Sequence, residues 1–126
     1  MSGQFNLARY SGKHLIIDLF GVPESCLSNV DEIQNCLEEA AEYAGAHILS
    51  SNFHHFGEGY GITGVVVLAE SHISIHTWPE EQFAAIDIFM CGTCDPNKSI
   101  PIIEKYFKPK SVTSVILHRG VVDRVQ

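Results

Sequence analysis

Residues 65–80 read VVVLAESHISIHTWPE. A buried-strand signature, Val65 to Leu68 with Ala69 and Glu70, runs into Ser71 and then a strict alternation. There Ile73 and Ile75 share one face while His72, Ser74 and His76 share the other, until Pro79 stops the strand. One strand therefore follows another with no helix between them, which a sheet of βαβ units would require.

The flanking sequence continues the pattern. HLIIDLFG, residues 14–21, is short, apolar and closed by glycine, as a first strand should be. In SNVDEIQNCLEEAAEYAG, Asn29 can cap a helix with Glu32 completing a capping box. Val30, Ile33, Leu37, Ala40 and Ala44 form its apolar face and Gly45 ends it. AHILSSNF is the next expected strand, followed by GEGYGITG as a loop. FAAIDIFMC, residues 83–91, alternates with Asp87, Phe89 and Cys91 opposite Ile86, Ile88 and Met90. Asp95, Pro96 and Pro101 introduce a short helix ending near Phe107, and SVTSVILH, residues 111–118, is the last strand. Too few helices occur for alternating βαβ units. The expected fold is α+β, a two-layer sandwich of a largely antiparallel sheet with helices on one face.

A chain of 126 residues, 45% hydrophobic and 18% charged, suits one folded domain over 1–126. A net charge of -7 argues against nucleic acid or an anionic membrane as partner and fits a cationic ligand better. The start lacks the apolar core of a signal peptide, and no apolar run approaches the roughly 20 residues of a membrane helix. A cytoplasmic location is expected, with Cys26, Cys36, Cys91 and Cys94 as free thiols.

His72 and His76 would share a helix face, but on a strand they stand roughly 13 Å apart. A zinc ion needs both imidazole nitrogens about 2 Å away, so the two cannot hold one metal within an extended strand. No metal site is expected. A non-enzymatic module using His54, His55, His72 and the thiols remains a competing reading. CGTC, residues 91–94, matches a redox C-x-x-C but follows a strand and precedes Asp95-Pro96 instead of opening a long helix. A hydrolase triad would need a G-x-S-x-G elbow, which Ser71 lacks. Glu70, Ser71 and His72 at a buried strand end need bonded partners or a functional reason. Ser71 and His76 are separated by about 16 Å of strand and point to opposite faces. If both act at one site, either His76 serves the Ser71 of a second copy across a two-fold interface, or a bulge breaks the strand between them.

GKHLIIDLFG, SNFHHF, GITGVVVLAESHISIHTWPE, AAIDIFMCG and DP, in this order over nearly the whole chain, resemble the short prokaryotic S-adenosylmethionine decarboxylases, the self-processing pyruvoyl enzymes of polyamine synthesis. The resemblance implies self-cleavage between Glu70 and Ser71 into 1–70 (the beta chain) and 71–126 (the alpha chain). Ser71 would become a covalent pyruvoyl cofactor that forms a Schiff base with substrate. It also implies processing roles for His76 and Thr63, the latter where the family usually has serine, and a proton-donor role for Cys91. Phe56, Glu80 and Glu70 would bind substrate, with Tyr10 a further candidate for stacking. A homodimer is implied, with Ser71 and Cys91 from one protomer meeting Thr63, His76, Phe56 and Glu80 of the other. The implied reaction converts S-adenosylmethionine to its decarboxylated form, the aminopropyl donor of spermidine synthesis, and CO2. Gly61 and Gly64 are expected to allow close backbone approach at the scissile segment. The second cysteine of CGTC and the extra residue and glutamate of HHFGEGYG depart from the family pattern. Arginine or ornithine would use the same electron sink, so either is an alternative substrate.

Overall fold

The computed structural model describes residues 5–123, with side chains over 10–121. Strand β1 (Phe5–Phe20) is followed by a one-turn helix α1 (Glu24–Leu27) and by α2 (Val30–Tyr43). Next come β2 (Ile48–His55), β3 (Ile62–Leu68), β4 (Ser71–Trp78), a 3-10 turn (Pro79–Glu81) and β5 (Phe83–Cys91). A second 3-10 turn (Pro96–Ser99) leads into α3 (Ile100–Phe107), and β6 (Ser111–Asp123) closes the chain. The six strands form one sheet in the order β2-β3-β4-β5-β1-β6, with every pairing antiparallel. The expected α+β architecture is the one observed.

Local signals explain α2 at both ends. The Asn29 side chain accepts the Glu32 N–H at 3.0 Å. At the other end the N–H of Ala46 bonds the Ala41 carbonyl and that of Gly45 the Glu42 carbonyl, with Gly45 at φ +95°. This is a Schellman ending, which glycine enters without strain. Ile33, Leu37, Ala40 and Ala41 are buried against the sheet. Opposite them lie Leu15 and Ile17 of β1, Ile73 and Ile75 of β4, and Ile86 and Ile88 of β5. Truncating one such residue, for instance Leu37→Ala, costs about 2–5 kcal/mol. Thr77 is buried on this same face of β4. Its hydroxyl donates to the Leu27 carbonyl at 2.9 Å and accepts the Ile62 N–H at 2.9 Å, so this buried hydroxyl is paired both as donor and as acceptor.

The chain departs from the sequence expectations mainly at element ends. β1 begins at residue 5, β6 extends to 123 and β3 starts inside the expected glycine-rich loop. Backbone pairing carries these strands through segments without apolar alternation. α1 is too short to display a period.

Among the described residues, no helix lies on the other face of the sheet. Ile16 and Phe20 of β1, Trp78 of β4, and Val115 and Leu117 of β6 are all exposed there. Such an apolar face is broad for the surface of a single chain.

Candidate active site

Leu68 pairs with Ser71, so Ala69 and Glu70 form the two-residue turn between β3 and β4. Such turns favour glycine or asparagine with positive φ, and neither residue is present. The unusual torsion falls instead on Ser71, at φ +153°. The other described non-glycine residues with positive φ, Gln82 and Lys108, sit near +50° in the ordinary left-handed region. A serine held at the Ser71 value stores strain of order 1–3 kcal/mol.

Pairing of Ser71 with Met90 sets Cys91, the last residue of β5, beside Glu70. The Glu70 carbonyl accepts the Cys91 N–H at 3.2 Å and the Cys91 thiol at 3.0 Å. Two donors on one carbonyl oxygen are the arrangement that stabilises charge when that carbonyl is attacked. Arg119 lies 5.0 Å over the Phe89 ring, with His14 and His72 also against it. Phe89 precedes Cys91 by two residues on the same face of β5.

The Glu70 side chain turns to His47, the residue just before β2. The His47 N–H donates to Oε1 at 2.9 Å, and the ring Nδ1 lies 2.8 Å from Oε2. These bonds, the backbone one foremost, hold the carboxyl below its ordinary range. Sequence reasoning missed His47. It belongs to no motif, and only the pairing of β2 with β3 brings it to a residue 23 positions away.

A second cluster lies at the other end of β4. Thr63 and His76 face each other in the β3–β4 register, with Oγ1 and Nδ1 3.1 Å apart. They line a shallow hollow on the open sheet face together with Asn52, His54, Val65 and Ser74. Phe56 is exposed just beyond β2 and meets His54 edge to face at 4.6 Å. Glu80 is exposed in the 3-10 turn after Trp78.

One chain therefore unites Glu70, Ser71 and Cys91 and, separately, Thr63 and His76. About 16 Å of strand divides the two groups, and β4 pairs without a register shift, so no bulge shortens the path. Gly61 and Gly64 were expected to lie close to the Glu70–Ser71 segment, and they do not. A Cβ at Gly61 would run into the Thr77 carbonyl and one at Gly64 into the Phe53 ring, both at the far end of the hairpin.

The remaining chemistry is quiet. All four cysteines are free thiols. The Cys94 thiol donates to the Gly45 carbonyl at 3.4 Å, and burial, then Glu70 and Cys91, raise its pKa. A reactive C-x-x-C pair needs the opposite shift. Among the described residues no three His, Cys, Asp or Glu side chains converge on a possible metal position, and no helix is long and apolar enough to cross a membrane.

A family profile described as S-adenosylmethionine decarboxylase matches residues 13–120, a span that contains both clusters. The chain belongs to the S-adenosylmethionine decarboxylase family. It is similar to the S-adenosylmethionine decarboxylase proenzyme of Persephonella marina, 45% identical over 112 residues, 88% of this chain and 84% of that one. The corresponding proenzyme of Methanococcus maripaludis strain C5 is 41% identical over 113 residues, 89% of this chain and 92% of that one. Among solved structures, the adenosylmethionine decarboxylase of Aquifex aeolicus VF5 superposes with a TM-score of 0.81 at 37% identity, over 94% of this chain and 98% of that one. Family membership and the antiparallel architecture thus agree.

Proposed function

We infer that this chain is a self-processing S-adenosylmethionine decarboxylase that cuts itself between Glu70 and Ser71 and carries the resulting pyruvoyl group at position 71. The observation that supports this most directly is the Glu70 carbonyl, held by two Cys91 donors beside a serine in a strained backbone conformation.

The Ser71 hydroxyl attacks the Glu70 carbonyl carbon, and the charge gathering on the carbonyl oxygen is received by the Cys91 N–H and thiol. The C–N bond breaks as the amine takes up a proton, leaving an ester between Glu70 and the Ser71 side chain. Loss of the Ser71 Cα proton then expels Glu70 as a free carboxylate, the new end of the 1–70 fragment. Water replaces the nitrogen of the remaining dehydroalanine, ammonia departs, and a ketone is left on 71–126. The residues present fit such a group: it arises from a side chain already in the fold and calls for no metal. When formed, the ketone supplies the electron sink for loss of CO2 from the substrate. Cys91, on the same end of the sheet, carries a proton that can be delivered to the substrate carbon.

The Thr63–His76 pair is suited to holding the hydroxyl and moving protons during processing. It cannot reach Ser71 of its own chain. A face-to-face homodimer about a two-fold axis would cover the exposed Ile16, Phe20, Val115 and Leu117 and lay the Ser71 end of one protomer on the Thr63–His76 end of its partner. Phe56 and Glu80 lie at this second end. An aromatic face suits the adenine and the sulfonium, and a carboxylate suits the ribose hydroxyls. Four free thiols fit a reducing, cytoplasmic setting. The arginine, ornithine and metal-module readings gain no support from the named relatives.

Denaturing mass spectrometry of the purified chain tests the reading. Fragments 1–70 and 71–126, the latter blocked at its N-terminus, are expected, and Ser71→Ala should leave one intact chain. An uncut wild-type chain, or cleavage that persists in Ser71→Ala, would refute self-processing at this bond. Release of CO2 from S-adenosylmethionine, and not from arginine or ornithine, is expected of the cleaved protein.

A further inference from the structure

The turn that carries the scissile peptide is gripped from two sides. On one side stand the two Cys91 donors to the Glu70 carbonyl. On the other, His47 makes three bonds: its carbonyl accepts the Ala69 N–H at 2.8 Å, its N–H donates to Glu70 Oε1, and its ring reaches Glu70 Oε2. Ala69-Glu70 has neither glycine nor asparagine to hold a tight turn by itself, and Ser71 between the grips carries the strained torsion. The imidazole is 79% exposed, so it contributes little to the core and its bond to Glu70 is its evident role.

We propose that His47 is a positioning residue for self-cleavage: by holding the Glu70 side chain it keeps the Glu70 carbonyl on the two Cys91 donors and Ser71 in its strained conformation. The proposal rests on cleavage at Glu70–Ser71. Without the ring bond, the Glu70 carboxylate keeps only the His47 N–H on Oε1, so its side chain is held at one oxygen instead of two and the carbonyl spends less of its time on the Cys91 donors. The attacking hydroxyl then meets a less polarised and less well aligned carbon. Only the ring bond depends on residue 47 being histidine, since the two backbone bonds survive any substitution there except proline.

The test is a time course of fragment appearance after synthesis of the full chain, comparing wild type with His47→Leu, His47→Ala and His47→Asn. The leucine variant keeps the bulk and loses the donor, while the asparagine amide can place an N–H close to that of Nδ1. Cleavage in His47→Leu and His47→Ala should slow about fivefold or more, with near wild-type rates in His47→Asn. Equal rates in all four proteins, or asparagine as slow as leucine, would overturn the positioning role while leaving the cleavage reading intact. A wild-type chain that never cleaves would instead remove the cleavage reading on which the role depends. Circular dichroism at the assay temperature checks that each variant is folded, and the exposure of the ring makes that the expected result.

Discussion

The thiol of Cys91 donates to the carbonyl oxygen of Glu70 at 3.0 Å, and the backbone N–H of Cys91 reaches the same oxygen at 3.2 Å. A residue expected from the family resemblance to deliver a proton to substrate thus already touches the carbonyl of the peptide proposed for cleavage. The same donor pair can serve both stages, because each places developing charge or a proton demand at this end of β5.

Replacing Cys91 should therefore affect both stages, unequally. Cys91→Ala keeps the N–H on the Glu70 carbonyl and loses the thiol. A full-strength oxyanion donor is worth about a hundredfold or more, and a thiol is a weaker donor, so cleavage should slow about tenfold. Decarboxylation by whatever fraction is cleaved should fall further, since the thiol proposed as proton donor is gone. Fragment mass spectra give the first rate and CO2 release the second. Cleavage in Cys91→Ala as fast as in wild type would show that the thiol has no part in processing.

The separation of Ser71 from His76 within one chain predicts complementation. Ser71→Ala and His76→Ala should each remain uncut alone. When the two are unfolded together and refolded at equal concentrations, random pairing puts about half of the His76→Ala chains in mixed dimers, where an intact Ser71 faces an intact His76. Mass spectrometry should find fragments from up to that share of the His76→Ala chains. No fragments from the mixture would mean that each site is built within one chain.

Much of this was legible in the sequence, and the reasons differ by residue. Ile73, Ile75, Ile86 and Ile88 announced the core face because alternation is a local signal, and Asn29, Glu32 and Gly45 announced α2 because caps are local too. The separation of Ser71 from His76 followed from strand rise alone. His47 gave no signal, since its bond to Glu70 exists only once β2 and β3 pair. The Cys91 grip on the Glu70 carbonyl depends likewise on the β4–β5 register. Gly61 and Gly64 were recognisable as close-approach positions, but what they approach, Thr77 and Phe53, is decided by tertiary packing.

Those two glycines should respond differently to a methyl group. A Cβ at Gly61 would meet the Thr77 carbonyl, a backbone atom that cannot move without disturbing the Thr77 bonds to Leu27 and Ile62. One at Gly64 meets the Phe53 ring, a side chain that is half-buried and can tilt. Gly64→Ala should cost about 1–3 kcal/mol and Gly61→Ala more, as overpacking against fixed backbone relaxes less. Urea unfolding of the two variants in the Ser71→Ala background, which keeps the chain uncut, measures both. The reverse order would place the rigid contact at Phe53.

Stability should decline on the alkaline side, with Cys36 as one cause. Its side chain is buried between α2 and α3, where the thiol donates to the Ile102 carbonyl at 3.9 Å, and burial first, with Glu39 second, pushes its pKa up from the ordinary 9.0 to about 12. Tyr106 is raised as well, by burial and then by Glu32, to which its hydroxyl donates at 3.2 Å. The folded chain keeps protons that the unfolded chain gives up, so the unfolded state binds fewer protons and stability falls as pH rises. The Cys36 contribution is fully present below about pH 9 and disappears progressively toward about pH 12. Thermal midpoints by circular dichroism should be nearly flat from about pH 7 to about pH 8.5 and then drop. Cys36→Ala should start lower, because it leaves a small cavity, and decline less steeply above pH 9. Parallel declines in the two proteins would assign the alkaline loss to Tyr106 and the other titrating groups, and would show that the Cys36 thiolate is tolerated where it lies.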